Sequence, residues 1–369
     1  MTRAMVRPEL DLNSLKCITK VLTILGLLSC SFPKKKLVYC IIFGAIATLT
    51  CIEGLRDCPR KYSTPLAKIT TILQRYCSVL LVFLTYFFNI LFRKKLLNAV
   101  KILSKIDETL NSKPLKPVKI RTKVYLVYCS SALVLAAMTT FHLIYEAHGF
   151  SYKCGIQYHI CNTVISATVC FMMLLMLEIW RRFTILNNYL TIVLGETWTS
   201  LSVYHLVEIS EIHFDLCQAA DDLNRYFEVQ VLTIFGVSFY FFISTFFYFF
   251  TTGNIIATYD KQFYIHNALI VRALFLFFQL WATVYTSSQV TRESEKTAEI
   301  VHTTKRNTLN SSLRVWVELF SHQTIFKRVN FTVLGLFPIE WNVIFGIVCA
   351  TTNYLIILIQ FNDHILKLS

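Results

Sequence analysis

Charge is what this chain has least of: of 369 residues only 16% are Asp, Glu, Lys or Arg, while 55% are apolar and the mean hydropathy is +0.53. A water-soluble domain of this length cannot hide so much apolar surface in one core, so lipid is the expected solvent for most of the chain. Proline and glycine are also scarce, at 7 and 10, which excludes loop-rich and low-complexity architectures. None of the 12 cysteines forms a C-x-x-C pair, so neither a zinc site nor a disulfide framework is indicated. Most read as small core residues; Cys58 and Cys154 fall in loops expected outside, where oxidation is feasible. The nine histidines are dispersed and no H-E-x-x-H pattern occurs, so no metal or cofactor is expected. The N-terminal segment mixes Arg3, Arg7, Glu9, Asp11 and Lys16 with short apolar pieces, unlike a cleavable signal peptide.

What is present is a series of long apolar runs. Stretches long enough to cross about 30 Å of hydrocarbon lie at 37–55, 70–92, 124–145, 158–179, 229–250, 265–286 and 343–361. A β-barrel would show alternations about half as long, so seven transmembrane helices are expected and the fold class is an all-α membrane protein. The stretch 12–28 carries Lys16 and Lys20 and reads as an amphipathic helix at the membrane surface. The net charge of +14 sits between the runs, a juxtamembrane pattern that argues against nucleic acid as a partner. Lys and Arg number 27 in the N-terminal segment and alternate loops, against 7 on the other side. Basic loops stay cytosolic, so the N-terminus is expected inside and the C-terminus outside, the reverse of a G-protein-coupled receptor. Both sequons, at Asn310 and Asn330, then fall in a cytosolic loop and carry no glycan.

Two cytosolic segments have helical periodicity. Leu206, Ile209, His213, Leu216, Ala220, Leu223 and Phe227 recur at steps of three and four, so the fifth span continues into the cytosol as an amphipathic helix. His213 with Glu208 and Glu211 resembles a metal site only superficially; a packing histidine is the better reading. A second helix is expected over 315–329. The organisation is therefore 1–36, a cytosolic segment with an amphipathic helix; 37–286, a six-helix bundle with an extension around 180–228; 287–335, a cytosolic helical segment; and 336–369, the last helix with a short extracellular tail.

The last run carries the sharpest pattern. Asn342, Gly346, Cys349, Asn353 and Gln360 fall at intervals of four, three, four and seven, on one helix face. Polar groups in a span are costly unless they meet protein or water. Such a stripe either lines an ion path, with Ile356 and Ile357 as an apolar constriction, or packs neighbouring helices.

Asn353-Tyr354, five apolar residues, then Gln360-Phe361 resembles the seventh-helix signature of insect gustatory receptors, Thr-Tyr, five hydrophobics, Gln-Phe, with Asn353 for Thr the single departure. Glu318-Leu-Phe-Ser, Phe331-Thr-Val-Leu-Gly-Leu-Phe337, Ile24-Leu-Gly-Leu-Leu28 and Leu223-Asn-Arg-Tyr-Phe227 are also similar to that family, which is related to insect odorant receptors. The resemblance implies a tastant-gated, non-selective cation channel at the plasma membrane of a sensory neuron. Its permeant ions would be monovalent, with divalent cations as a further class. The assembly would be a homotetramer, or a heterotetramer with other gustatory receptors, joined by a cytosolic anchor of helix extensions. Gln360 and Phe361 would form the gate above Ile356, Ile357 and Asn353, with Tyr354 as a signature packing residue. Leu355 stands where sugar-responsive members carry an acid, which favours a non-sugar, bitter-type ligand.

The resemblance also puts a ligand pocket in the outer half of the bundle, where the candidates are Arg75, Tyr76, His142, Tyr145, Glu146, His159, Asn162, Tyr248 and Arg272. A buried guanidinium needs an anionic partner, and Glu146 could supply one; alternatively Arg75 and Arg272 snorkel to headgroups. His142 and His159 either meet the ligand or bond a neighbouring helix. The competing functions are a multi-pass membrane enzyme, which would need clustered histidines or an acid–histidine pair, and a G-protein-coupled receptor, which would need the opposite charge bias.

Overall fold

A computed structural model describes residues 34–56, 65–111, 152–195, 200–252, 259–304 and 311–368. They form eight helices and one small hairpin: α1 (Lys34–Arg56), α2 (Pro65–Leu91), α3 (Arg93–Asn111), α4 (Tyr152–Gly195), α5 (Ser200–Thr252), α6 (Tyr259–Thr303), α7 (Ser311–Phe326), β1 (Thr332–Val333), β2 (Phe337–Pro338) and α8 (Trp341–Leu368). Six of the seven expected spans lie on α1, α2, α4, α5, α6 and α8. The run 124–145 and the amphipathic stretch 12–28 lie outside the described residues.

Three helices are far longer than a bilayer is thick. With 44, 53 and 45 residues, α4, α5 and α6 measure about 66, 80 and 68 Å at 1.5 Å per residue, roughly twice the hydrocarbon core. Only four and six residues, 196–199 and 253–258, separate them in sequence, and the helices pack side by side, so neighbouring helices run antiparallel. The end of α4, the start of α5 and the end of α6 therefore project together beyond the apolar zone. Two shorter helices complete this extended end: α3 packs on α5, and α7 packs on α5 and α6. The expected extension at 180–228 is thus shared, with α4 supplying residues up to Gly195 and α5 those from Ser200.

Each extension is held by polar groups whose partners are remote in sequence. Arg182 donates to Asp107 of α3 at 2.5 Å and to Glu178 at 2.9 Å, while Arg181 lies 3.8 Å from Asp107. Asn187 donates to Glu293 Oε1 at 2.9 Å and accepts from Thr297 at 2.6 Å, fixing α4 to α6. Lys95 and Asn98 of α3 both donate to Asp222 of α5. Where α2 leaves the apolar zone, the buried Asn89 oxygen accepts from Tyr226 and Gln230, each at 2.7 Å. Buried polar groups need such partners, and these specify which helices meet.

The seam on α5 is buried along its length, from Leu206 to Phe227. His213 sits in it with 1% of its surface exposed, its ring edge-on to Phe183 at 5.8 Å and Phe320 at 5.5 Å. Burial lowers its pKa to about 4, so it is neutral near pH 7. In the unfolded chain it titrates near its ordinary value, so its neutral native form favours folding fully above about 6.5, and that contribution falls away as the pH drops toward 4. A displacement of this size corresponds to roughly 3 kcal/mol. Chemical or thermal unfolding of the detergent-solubilised protein is expected to show a stability loss between pH 6.5 and 4 that His213→Leu flattens; parallel pH profiles would contradict this.

In the apolar zone α4 is central and α8 peripheral: 72% of the most apolar stretch of α4 is buried inside the chain, against 6% for α8. Between α1 and α2 the approach is close enough to require glycine, since a Cβ on Gly44 would come within 2.9 Å of the Tyr86 ring.

Candidate functional site

The site with the most definite geometry is α8. Its contacts within the chain are mainly with α5 and α6. Its buried or half-buried face has the half-buried Val343, Ala350 and Ile359 at the flanks and, in the middle, Ile344, Ile347, Thr351, Leu355, Leu358 and Asn362, spaced at steps of three and four. At about 100° per residue these six lie within about 40° of one direction. Asn342, Gly346, Cys349, Asn353 and Gln360 are all exposed, and the same geometry puts them within about 40° of the opposite direction. The polar stripe therefore faces away from the bundle that holds its helix.

Among the described residues, none of the five stripe residues is buried against another helix. Ile356 and Ile357, also exposed, flank the stripe on the same outward side, whereas the exposed Phe361 lies about 90° from it, beside Tyr354. Tyr354 lies at the edge of the packed face, its ring 6.0 Å from Phe239 of α5 and nearly perpendicular to it. Thr351 and Thr352 bond back to the carbonyls of Ile347 and Val348, so neither hydroxyl stands in for a threonine at position 353.

The second candidate site, at the far end of the bundle from the extension, gathers residues from α2, α5 and α6. Arg272 lies 4.7 Å above the Phe241 ring and donates to the Gln74 side-chain oxygen, with the amide oriented to accept. Tyr240 donates to the Thr70 carbonyl at 2.7 Å, and the Tyr248 and Thr70 hydroxyls are 3.4 Å apart. A cation over an aromatic ring beside three hydroxyls and an amide is suited to a polar aromatic molecule. Arg272 and Tyr248 were expected here; Gln74, Tyr240, Thr70 and Phe241 were not. The signal for Thr70 and Gln74 was their four-residue spacing on α2, which puts them on one face.

The other candidates distribute differently. Asn162 is buried on α4, next to Cys161, whose sulfur is 4.0 Å from that of Cys51. Arg75 is half-buried, and Tyr76 is on the outer surface of α2 with 59% exposed. His142, Tyr145 and Glu146 lie outside the described residues, and His159 is on α4 with its side chain outside them too. Among the described residues no three His, Cys, Asp or Glu side chains come together as a metal site.

Comparison with known proteins adds three findings. Residues 15–364 match the family described as 7tm Chemosensory receptor. Two Drosophila melanogaster proteins are similar in sequence: gustatory receptor 28b, 30% identical over 170 residues, and gustatory receptor 28a, 33% identical over 164. These alignments take in 42% and 43% of this chain but only 34% and 36% of the relatives, so the chain spans about a third of the length of the curated relatives it matches. The fold is that of the insect olfactory receptor OR5 from Machilis hrabei, at a TM-score of 0.71 and 13% identity, covering 95% of this chain and 98% of that one. The same receptor solved in complex with eugenol superimposes at 0.69, with 14% identity.

Proposed function

This chain belongs to the 7tm chemosensory receptor family, and from that premise we propose that it is a gustatory receptor acting as a tastant-gated, non-selective cation channel of four subunits. Membership makes it a multi-pass chemosensory receptor of the plasma membrane rather than an enzyme. The observation that carries the channel reading is the stripe Asn342, Gly346, Cys349, Asn353 and Gln360, turned away from its own subunit. Facing lipid, such a stripe would be costly. Facing three symmetry-related copies around an axis, it lines a water-filled path. Asn353 and Gln360 would hydrate ions, and Ile356 and Ile357 would close the path by dewetting.

The extended end supplies the contact between subunits. On α7 the large apolar side chains of Val315, Trp316, Leu319 and Phe326 are exposed beyond the apolar zone, where an isolated subunit would have no reason to keep them. In the proposed orientation this end is cytosolic, supported by the 27-to-7 distribution of basic residues. The ligand pocket is proposed around Arg272, Gln74, Tyr248 and Tyr240, with Arg75, Asn162, His159, His142, Tyr145, Glu146 and Tyr76 as further candidates. Binding of eugenol to a receptor of the same fold supports a small-molecule ligand.

Whole-cell recording from cells expressing this chain alone, challenged with plant alkaloids, small phenols and sugars, tests the proposal. A ligand-evoked cation current with a reversal potential near 0 mV is expected. Surface expression with no current to any ligand would contradict homomeric gating.

A further inference from the structure

The turn preceding α8 is built in a way that its own chain does not explain. β1 and β2 pair antiparallel, the Ile339 N–H donates to the Phe331 carbonyl at 2.8 Å, and the Leu336 N–H donates to that of Val333 at 2.9 Å. Its base is pinned to α5: Asn224 accepts from the Thr332 N–H at 3.0 Å and donates to the Thr332 hydroxyl at 3.3 Å. Phe331, Val333 and Ile339 are buried beneath it. At the tip, Leu334 and Gly335 have φ of 51° and 68°.

The pairing of Val333 with Phe337 leaves a three-residue loop, and its two consecutive positive φ values are those of a type I′ turn, which Asn-Gly or Gly-Gly normally provides. Leucine at the first position brings its Cβ against the following carbonyl, a clash that glycine avoids and asparagine offsets by local hydrogen bonding. The strained residue is also exposed, Leu334 at 40% and Leu336 at 70%. Strain and apolar exposure both disfavour this tip in water, and strain of this kind points to a role.

Connectivity says what surrounds it. The membrane-crossing stretch of α8 begins at Trp341, five residues after Leu336, a path of at most about 18 Å. The chain folds back through β2 over part of that path, so the tip stays near the level of the lipid headgroups. Trp341 is itself exposed, and an indole is the side chain that settles at that level. The hairpin satisfies ladder groups internally, the condition under which backbone can enter apolar surroundings.

We propose that the Leu334–Gly335–Leu336 tip is a membrane-interface anchor, seated where lipid headgroups meet acyl chains, that holds the first turn of α8 at a fixed depth. The inference rests on α8 crossing the bilayer and is independent of whether the chain conducts ions. Its test uses the full chain in phosphatidylcholine nanodiscs, with the photoreactive residue p-benzoylphenylalanine replacing Leu336 and, as a control, the exposed Glu299 of α6. After irradiation, intact-mass analysis is expected to show several-fold more phosphatidylcholine adduct for position 336 than for 299. A cross-linked dimer in its place would assign the tip to a second copy, and equal adduct at both positions would leave it in water; either overturns the proposal. Leu334→Asn supplies the residue the turn prefers, so it is expected to leave the melting temperature in detergent unchanged or raised while reducing the adduct at 336. A lowered melting temperature would mean that Leu334 is held by packing, and the argument from strain would fail.

Discussion

Arg182→Met is expected to be the most damaging single substitution in the extended end, costing about 3–5 kcal/mol. Arg182 is 2% exposed and bridges Asp107 of α3 to Glu178 of its own helix. Without it the cation left to the two carboxylates among the described residues is Arg181, which lies 3.8 Å from Asp107 and 3.3 Å from Glu178. Burial already pushes the Asp107 carboxyl above its ordinary value, and the Arg182 guanidinium opposes that push. With the guanidinium gone, Asp107 takes up a proton or α3 separates from α4. The penalty comes from the stranded acids more than from the lost attraction, so Asp107→Leu combined with Arg182→Met should recover at least half of it. Thermal unfolding of the three variants in detergent measures this. If the double variant were as unstable as the sum of its two singles, the two residues would not be coupled.

Asn353→Leu is expected to have the largest effect on conduction. Asn353 sits in the middle of the outward stripe, one turn from the exposed Ile356 and Ile357. A leucine there extends the apolar stretch of the path by a full turn and favours its dewetting. Single-channel conductance should fall at least about tenfold, equivalent to about 1.4 kcal/mol on the permeation barrier. Thr351→Val on the packed face removes a hydroxyl already bonded to the Ile347 carbonyl and should leave conductance unchanged. Similar losses in both variants would indicate damage to the helix rather than to an ion path.

The apolar runs made the spans legible, because lipid imposes a minimum length that no other feature of the sequence mimics. The seam from Leu206 to Phe227 was legible for the same reason: all seven positions recur at helical spacing, and all seven are buried. α3 reads at first as a basic loop, through Lys94, Lys95, Lys101 and Lys105, although Leu96, Ala99, Leu103, Ile106 and Leu110 form an equally regular buried stripe. The extensions of α4 and α6 are hidden by polarity. Arg182, Asn187 and Glu293 look like loop residues until Asp107 and Thr297, far off in sequence, arrive to satisfy them. The hairpin lacked its usual signature because a leucine occupies the asparagine position.

For the candidate sites, sequence spacing defined the polar stripe but could not say which way it faced. That depends on which side of α8 meets α5 and α6. In the second site Arg272 stood out as a charge within a span, whereas Gln74, Tyr240 and Phe241 became meaningful only when three helices brought them together.

Cys349 offers the most direct test, since it lies in the stripe, is exposed, and has a free thiol. In cells giving a ligand-evoked current, a small cationic methanethiosulfonate reagent is expected to modify Cys349 and reduce that current irreversibly, faster when the channel is open than when it is closed. Cys349→Ser should abolish the effect. A current reduced equally in the Cys349→Ser variant, or untouched in the wild type at full surface labelling, would contradict an ion path along this face of α8.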